Sequence, residues 1–453
     1  MHPLTSRRLF FLLLYFSACR SQELGSRMEK LLLVRSARQV VTVTNDPQVT
    51  RLVGQEMKSV TVKEGAVSIV VDNGGFIEFI GSDDEVAEKY RNVKFSKEIN
   101  ASNYVVLPGF IDTHTHPVWA GDRVNEFAMK LAGATYLDIH ASGGGIFFTV
   151  EKTKNATDQE LADSLVERLS KMLRSGTTTV ECKSGYGLDL ENEIRLLKVI
   201  ESVRGKTAVD ISSTYCGAHA VPKGLTAEEA TIDILERQIP ELKNLIETKT
   251  LNVENIDVFC EKGVFTTEQS KRILEAGKQI GLRVNFHGDE LYPTKSAEMG
   301  ASIGATAISH LEEISEQGIA DMAANGSVAV ILPTTAYTMR LKPPPVRRMI
   351  EAGVAVALGT DFNPNAFCYA MPMVMNLACV TLGMSMPEAL IAATLNAAAS
   401  LGRSNTHGSI TRGKFADFLL VRAPRWEHII YQMGAHEDLI DFVVKNGKVV
   451  FEK

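Results

Sequence analysis

Short apolar runs at 105–112, 177–182, 210–216, 256–260, 283–286, 306–309, 327–332 and 354–358 alternate with longer stretches, such as 158–174 and 270–280, whose apolar positions recur at helical spacing. A strand buried on both faces reads as a continuous apolar run, and an amphipathic helix repeats every 3.6 residues. The alternation therefore predicts strands joined by crossover helices, which makes the strands parallel. Eight such units predict an α/β chain built on a closed (β/α)8 TIM barrel, with an open doubly wound sheet as the alternative.

The flanks carry a different pattern. β-Rich stretches at 59–62, 67–71 and 76–80 are broken by Asn73-Gly74-Gly75 and Gly81. Runs at 418–421 and 441–444, a turn at Asn446-Gly447 and Val449-Val450-Phe451 repeat the style at the other end. Turn residues between such runs predict antiparallel pairing. The expected organisation is a barrel over 106–406 and a small β-sandwich-like domain assembled from 28–105 and 407–453.

Residues 1–27 lie outside both. Arg7-Arg8, the apolar run 9–16 and Ser17-Ala18-Cys19 imitate a short secretory signal, whereas Met28-Glu29-Lys30 opens a strand suited to the start of a cytoplasmic protein. A cytoplasmic protein with an upstream start is the expectation; a secreted one, with residues 1–20 as its signal, is the alternative.

Composition changes this picture only by exclusion. Apolar residues make up 45% of the 453 and charged residues 23%, as in ordinary globular proteins. A net charge of −6 leaves no basic footprint for nucleic acid, and the barrel pattern leaves no room for a membrane-spanning bundle. The six cysteines are scattered, several inside apolar runs, and read as buried thiols of a reducing compartment.

Candidate chemistry sits where a barrel of this kind places it, at the C-terminal ends of the strands. The first run ends in His114-Thr115-His116, the third leads to His219, the fifth ends at His287 followed by Asp289-Glu290, the sixth at His310 and the eighth at Asp361. A lone histidine is most often structural, but histidines at four strand ends with an aspartate at a fifth point to a metal. Extended backbone aims His114 and His116 the same way. Joined by His287 and Asp361 they form a set of three nitrogens and one carboxylate that suits one Zn²⁺ or Fe ion per subunit and leaves room for water. Asp361 is also placed to take that water's proton, and Glu290 to pass a proton to a leaving nitrogen. Lys262, after the fourth run, reads as half of a solvated charge pair with Glu261 and not as a metal-bridging lysine.

These residues resemble a known family. Pro108-Gly109-Phe110-Ile111-Asp112-Thr113-His114-Thr115-His116-Pro117 is similar to the first motif of the amidohydrolase superfamily, and Gly408-Ser409-Ile410-Thr411-Arg412-Gly413-Lys414 to its return into the β domain. Further stretches resemble the branch that hydrolyses the ring amide of 4-imidazolone-5-propanoate in histidine breakdown. They are His116-Pro117-Val118-Trp119-Ala120-Gly121, Ser142-Gly143-Gly144-Gly145-Ile146, Glu181-Cys182-Lys183-Ser184-Gly185-Tyr186, Gly217-Ala218-His219 and Asp361-Phe362-Asn363-Pro364-Asn365.

The resemblance runs from about Glu29 to the C-terminus and implies His114, His116, His287 and Asp361 as metal ligands. It implies contacts from Arg123, Tyr136, Tyr186, His219, Asn363, Asn365 and the Ala366 backbone to a small anionic substrate. It gives His310 a catalytic or substrate-holding role, and the chain a homodimeric state. An arginine and phenols suit a propanoate group, because guanidinium pairs bidentately with carboxylate. Another mononuclear amidohydrolase, a cyclic amidase or nucleobase-type deaminase, would share the metal residues and differ in this pocket.

Overall fold

The computed structural model describes residues 29–133 and 144–453. Its first strands are β1 (Glu29–Val43), β2 (Thr61–Val71), β3 (Ile77–Ser82), β4 (Lys94–Asn100) and β5 (Val105–Pro108). β1 is long enough to pair antiparallel with β2 along one edge, and parallel with β4 and then β5 along the other. Antiparallel pairing throughout was the expectation, and the structure corrects it. The helix Asp83–Lys89 carries the chain across before β4, so β4 runs beside β1 in the same direction.

The barrel strands are β6 (Phe110–Asp112), β7 (Thr177–Lys183), β8 (Asp210–Ala218), β9 (Asn255–Cys260), β10 (Arg283–Gly288), β11 (Ala307–His310), β12 (Val328–Ile331) and β13 (Ala355–Leu358), parallel and in sequence order. Helix Asp158–Arg174 begins at a capping box between Thr157 and Glu160 and buries Leu161, Leu165, Leu169 and Met172 on its inner face. Helix Thr267–Gln279 starts earlier than its apolar period, because Thr266 and Gln269 cap it in the same way.

The run at 105–112, read as one strand, is two. Gly109 separates β5 in the mixed sheet from β6 in the barrel. A Cβ there would lie 2.3 Å from Thr178 Oγ1, so only glycine lets the chain cross this close to β7. Beyond the strand ends the barrel is joined by the candidate site itself. Asp361 N donates to His114 O and His116 N to Phe362 O, both at 2.9 Å.

The chain then returns as β14 (Phe418–Val421), β15 (Ile440–Lys445) and β16 (Lys448–Glu452). β14 pairs with β5, so both ends of the chain share one mixed sheet in the order β16-β15-β14-β5-β1-β2-β3, with β4 beside β1. Phe418, Leu420, Ile69, Val71 and Val40 pack its core. Charge joins this sheet to the N-terminal end of β8: Lys445 Nζ lies 2.6 Å from Asp210 Oδ2 and 2.5 Å from Asp417 Oδ2, and His407 Nε2 lies 3.0 Å from Asp210 Oδ2.

Nearby, Lys414 is buried with, among the described residues, only the His407 carbonyl as acceptor, at 3.3 Å, and burial pushes its pKa down to about 8. The unfolded chain holds that proton to about pH 10.4 and the folded one releases it earlier, so stability rises with pH between those values. Relative to Lys414→Met, the wild-type urea midpoint is expected to climb from pH 8 to 10.4, a gain of up to about 3 kcal/mol. A constant difference across that window would refute the assignment. No helix among the described residues is long and apolar enough to cross a membrane. The described cysteines are free, with Cys182, Cys216 and Cys260 buried.

Candidate metal centre and active site

His114 and His116 follow β6, His287 lies in β10, His310 ends β11 and Asp361 follows β13, so the barrel gathers them at one mouth. His287 Nε2 is 3.1 Å from His114 Nε2 and 3.2 Å from His116 Nε2. Asp361 Oδ1 lies 3.6 Å from the Nε2 atoms of both His114 and His116. Asp361 Oδ2 accepts from Thr335 Oγ1 at 2.5 Å, while Oδ1 is buried without a hydrogen-bond partner.

The far ring nitrogen sets the tautomer of His287. His287 Nδ1 lies 2.7 Å from Asp257 Oδ1, a carboxylate that can only accept, so the proton sits on Nδ1 and the Nε2 lone pair faces inward. His114 Nδ1 faces Ser309 Oγ at 2.8 Å. Burial holds His114 and His116 well below the ordinary histidine range, which keeps them neutral. Converging ring lone pairs and a bare carboxylate oxygen repel one another unless a cation lies among them. The residues therefore fit a first-row divalent metal. A second cluster of possible ligands, Asp210, His407 and Asp417, has the Lys445 ammonium against both of its carboxylates.

Beside the histidines lies an acidic group. Glu290 Oε2 is 3.6 Å from His310 Nε2, and Glu312 Oε2 is 3.8 Å from His310 Nδ1. Burial, then the charge of Glu312, pushes the Glu290 carboxyl well above the usual range, and burial pushes Glu312 up to about 8. Burial thus biases both carboxyls toward the protonated form. Asp289, His310, Leu311 and Asp361 have positive φ, between 46° and 77°, at the ends of β10, β11 and β13. Such backbone costs about 1–3 kcal/mol per residue and clusters at functional sites.

Of the expected substrate contacts, His219 stacks on His116 with ring centroids 4.5 Å apart, and its Nδ1 faces Gly185 O at 2.9 Å. Burial pulls it down to about 3, so it is neutral. Tyr186 is buried 6.0 Å from the His116 ring, centre to centre. Arg123 is held by Glu126, with Nη2 2.7 Å from Oε2, and the other Glu126 oxygen accepts from Gly145 N at 2.9 Å. Asn363 Oδ1 accepts from the backbone N–H groups of Asn365 and Ala366, at 2.7 and 3.0 Å, so these three residues shape one turn. Asn365 Oδ1 accepts from Lys130, a cation that sequence reasoning passed over. Tyr136 lies outside the described residues.

Sequence reasoning also assigned no individual role to Lys183 and Glu181, which lie in the 181–186 motif, or to Asp257 and Glu312, all four buried. The signal for the first three was a charge within an apolar run, since such residues are almost never buried unpaired.

The barrel, its β domain and this cluster define a class. The Amidohydrolase family model matches residues 105–450, and the chain belongs to that family. Within it, the chain is similar to proteins named "Probable imidazolonepropionase". That of Nematostella vectensis is 58% identical over 94% of this chain and 100% of the relative, and that of Homo sapiens 55% identical over 93% and 98%. In fold it is similar to an adenosine deaminase from Xanthomonas campestris solved with bound zinc, with a TM-score of 0.68, 18% identity and 94% of each chain covered.

Proposed function

We propose that the protein hydrolyses the ring amide of 4-imidazolone-5-propanoate to N-formimidoyl-L-glutamate, a step of histidine breakdown. The observation that carries this reading is the convergence of His114, His116, His287 and the bare Asp361 oxygen, with the buried Glu290 carboxyl beside them against His310. The relatives named for this activity, matched over nearly their whole length, support the choice of substrate.

His114, His116, His287 and Asp361 would hold one zinc or iron ion per subunit. Bound there, it supplies Lewis acidity and lowers the pKa of water toward about 7. The rest falls to the chain. Asp361 Oδ1 accepts a proton from the attacking water, whose oxygen joins the amide carbon. Glu290 Oε2 delivers its proton to the ring nitrogen as the C–N bond breaks, which leaves a carboxylate and the terminal nitrogen of the formimidoyl group. His310 holds the reacting carbonyl side of the ring. Arg123, Tyr186 and His219 line the end that takes the propanoate, with Asn363, Asn365 and Ala366 forming its rim; the family resemblance adds Tyr136 as a further contact to the substrate.

Incubation with 4-imidazolone-5-propanoate is expected to yield formiminoglutamate. Chelation should abolish turnover, and Zn²⁺ or Fe²⁺ should restore it, with about one ion per chain by metal analysis. Equal turnover of an analogue without the carboxylate would sink the substrate assignment. The proposed setting is a cytoplasmic homodimer without nucleic-acid partners, in keeping with the net charge of −6. Sedimentation of the purified protein at the mass of one chain would overturn the dimer.

A further inference from the structure

The barrel interior beneath the histidines holds a lysine. Lys183 ends β7 with its side chain 1% exposed, between two carboxylates that are 0% exposed: Nζ lies 2.6 Å from Glu181 Oε1 and 2.6 Å from Asp257 Oδ2. Glu181 and Lys183 are alternate residues of one strand, so both point into the barrel. Each carboxylate uses its second oxygen on a different part of the candidate metal centre. Glu181 Oε2 accepts from Thr115 N at 3.1 Å, the amide between His114 and His116. Asp257 Oδ1 lies 2.7 Å from His287 Nδ1 and accepts from His287 N at 3.2 Å.

We infer that Lys183 is a positioning residue of the metal centre, whose ammonium fixes Glu181 and Asp257 together and so holds the His114–His116 segment and His287 in their metal-facing poses. This rests on the reading of those histidines as metal ligands. A stability role is a weaker account. Buried ion groups can be replaced by apolar side chains of similar volume with little loss, and often with a gain. Apolar atoms could not orient two carboxylates from the middle. The Asp257 carboxylate has the Lys183 ammonium against one oxygen and His287 on the other, which favours the orientation that faces His287. Outer partners of this kind are worth about 10–100-fold in metal affinity.

The test strips the purified full-length protein of metal and titrates Zn²⁺ against a chromophoric chelator, for wild type, Lys183→Met and the double variant Lys183→Met/Glu181→Gln. Circular dichroism checks the fold. The double variant leaves no unpaired Glu181 charge, and its glutamine still accepts from Thr115 N, so it supplies the measurement if the single variant does not fold. Both variants are expected to bind Zn²⁺ about 10–100-fold more weakly than wild type. The Zn²⁺ concentration for half-maximal turnover should rise in step, while KM at saturating Zn²⁺ stays within about twofold. Wild-type affinity in Lys183→Met would overturn the inference. So would its return in the double variant, because the loss would then come from a stranded Glu181 and not from an unsupported Asp257. A wild-type protein that binds no Zn²⁺ would instead overturn the metal reading beneath both.

Discussion

Glu290→Gln is expected to lower kcat by about 10²–10⁴-fold while bound metal stays unchanged. Glutamine keeps the size and hydrogen-bonding shape of the carboxylic acid but has no proton to give to a departing nitrogen. Burial first, and then neighbouring carboxylates, raise the pKa of the wild-type group and favour the form that carries one. The sign of the pH dependence follows. An acid that must be protonated loses activity as pH rises through its raised pKa, and the residual activity of the variant should lack that falling limb. A pH–rate profile of kcat for both proteins checks this. Near-wild-type turnover in the variant would remove Glu290 from the proton path.

The second large effect separates ligand from neighbour. His287→Ala is expected to lose its metal through purification and with it all measurable turnover, a loss exceeding the about 10–100-fold that an outer partner contributes. His310→Ala is expected to keep its metal and lose turnover only. The two rings stack 5.3 Å apart, centre to centre, so proximity alone does not distinguish them. Their partners do. His287 presents Nε2 to His114 and His116 with Asp257 behind it, whereas His310 Nε2 faces Glu290. Metal analysis of the two variants decides the matter, and the reverse pattern would exchange their roles.

The barrel strands were legible because each is buried on both faces, which favours short runs of apolar and small residues, broken in β7 and β9 by Glu181 and Asp257. Helix Asp158–Arg174 was legible for the complementary reason, a one-sided stripe at helical period. The division at Gly109 was not, because nothing local distinguishes that glycine; it is required by Thr178, a residue of the next strand. The parallel pairing of β1 with β4 and β5 escaped for the same reason, since apolar pattern marks a strand without naming its partner. Arg123 was legible as a cation near the site, but its grip by Glu126 and the approach of Lys130 to Asn365 depend on how helix Val124–Leu131 lies against the mouth.

By itself the sequence determined the barrel, the residue types at its strand ends and hence the kind of metal site they can form, because periodicity and strand-end position are local properties. Only the tertiary structure decided which nitrogens meet. His114 and His287 are 173 residues apart, and their 3.1 Å approach depends on strand register and on barrel closure through the backbone of His114, His116, Asp361 and Phe362. The same closure buries Glu181, Lys183 and Asp257 beside the histidines, where charges whose local pattern names no partner become mutual supports. Their physical reason for being there is electrostatic and long-range, and a one-dimensional pattern carries no distances.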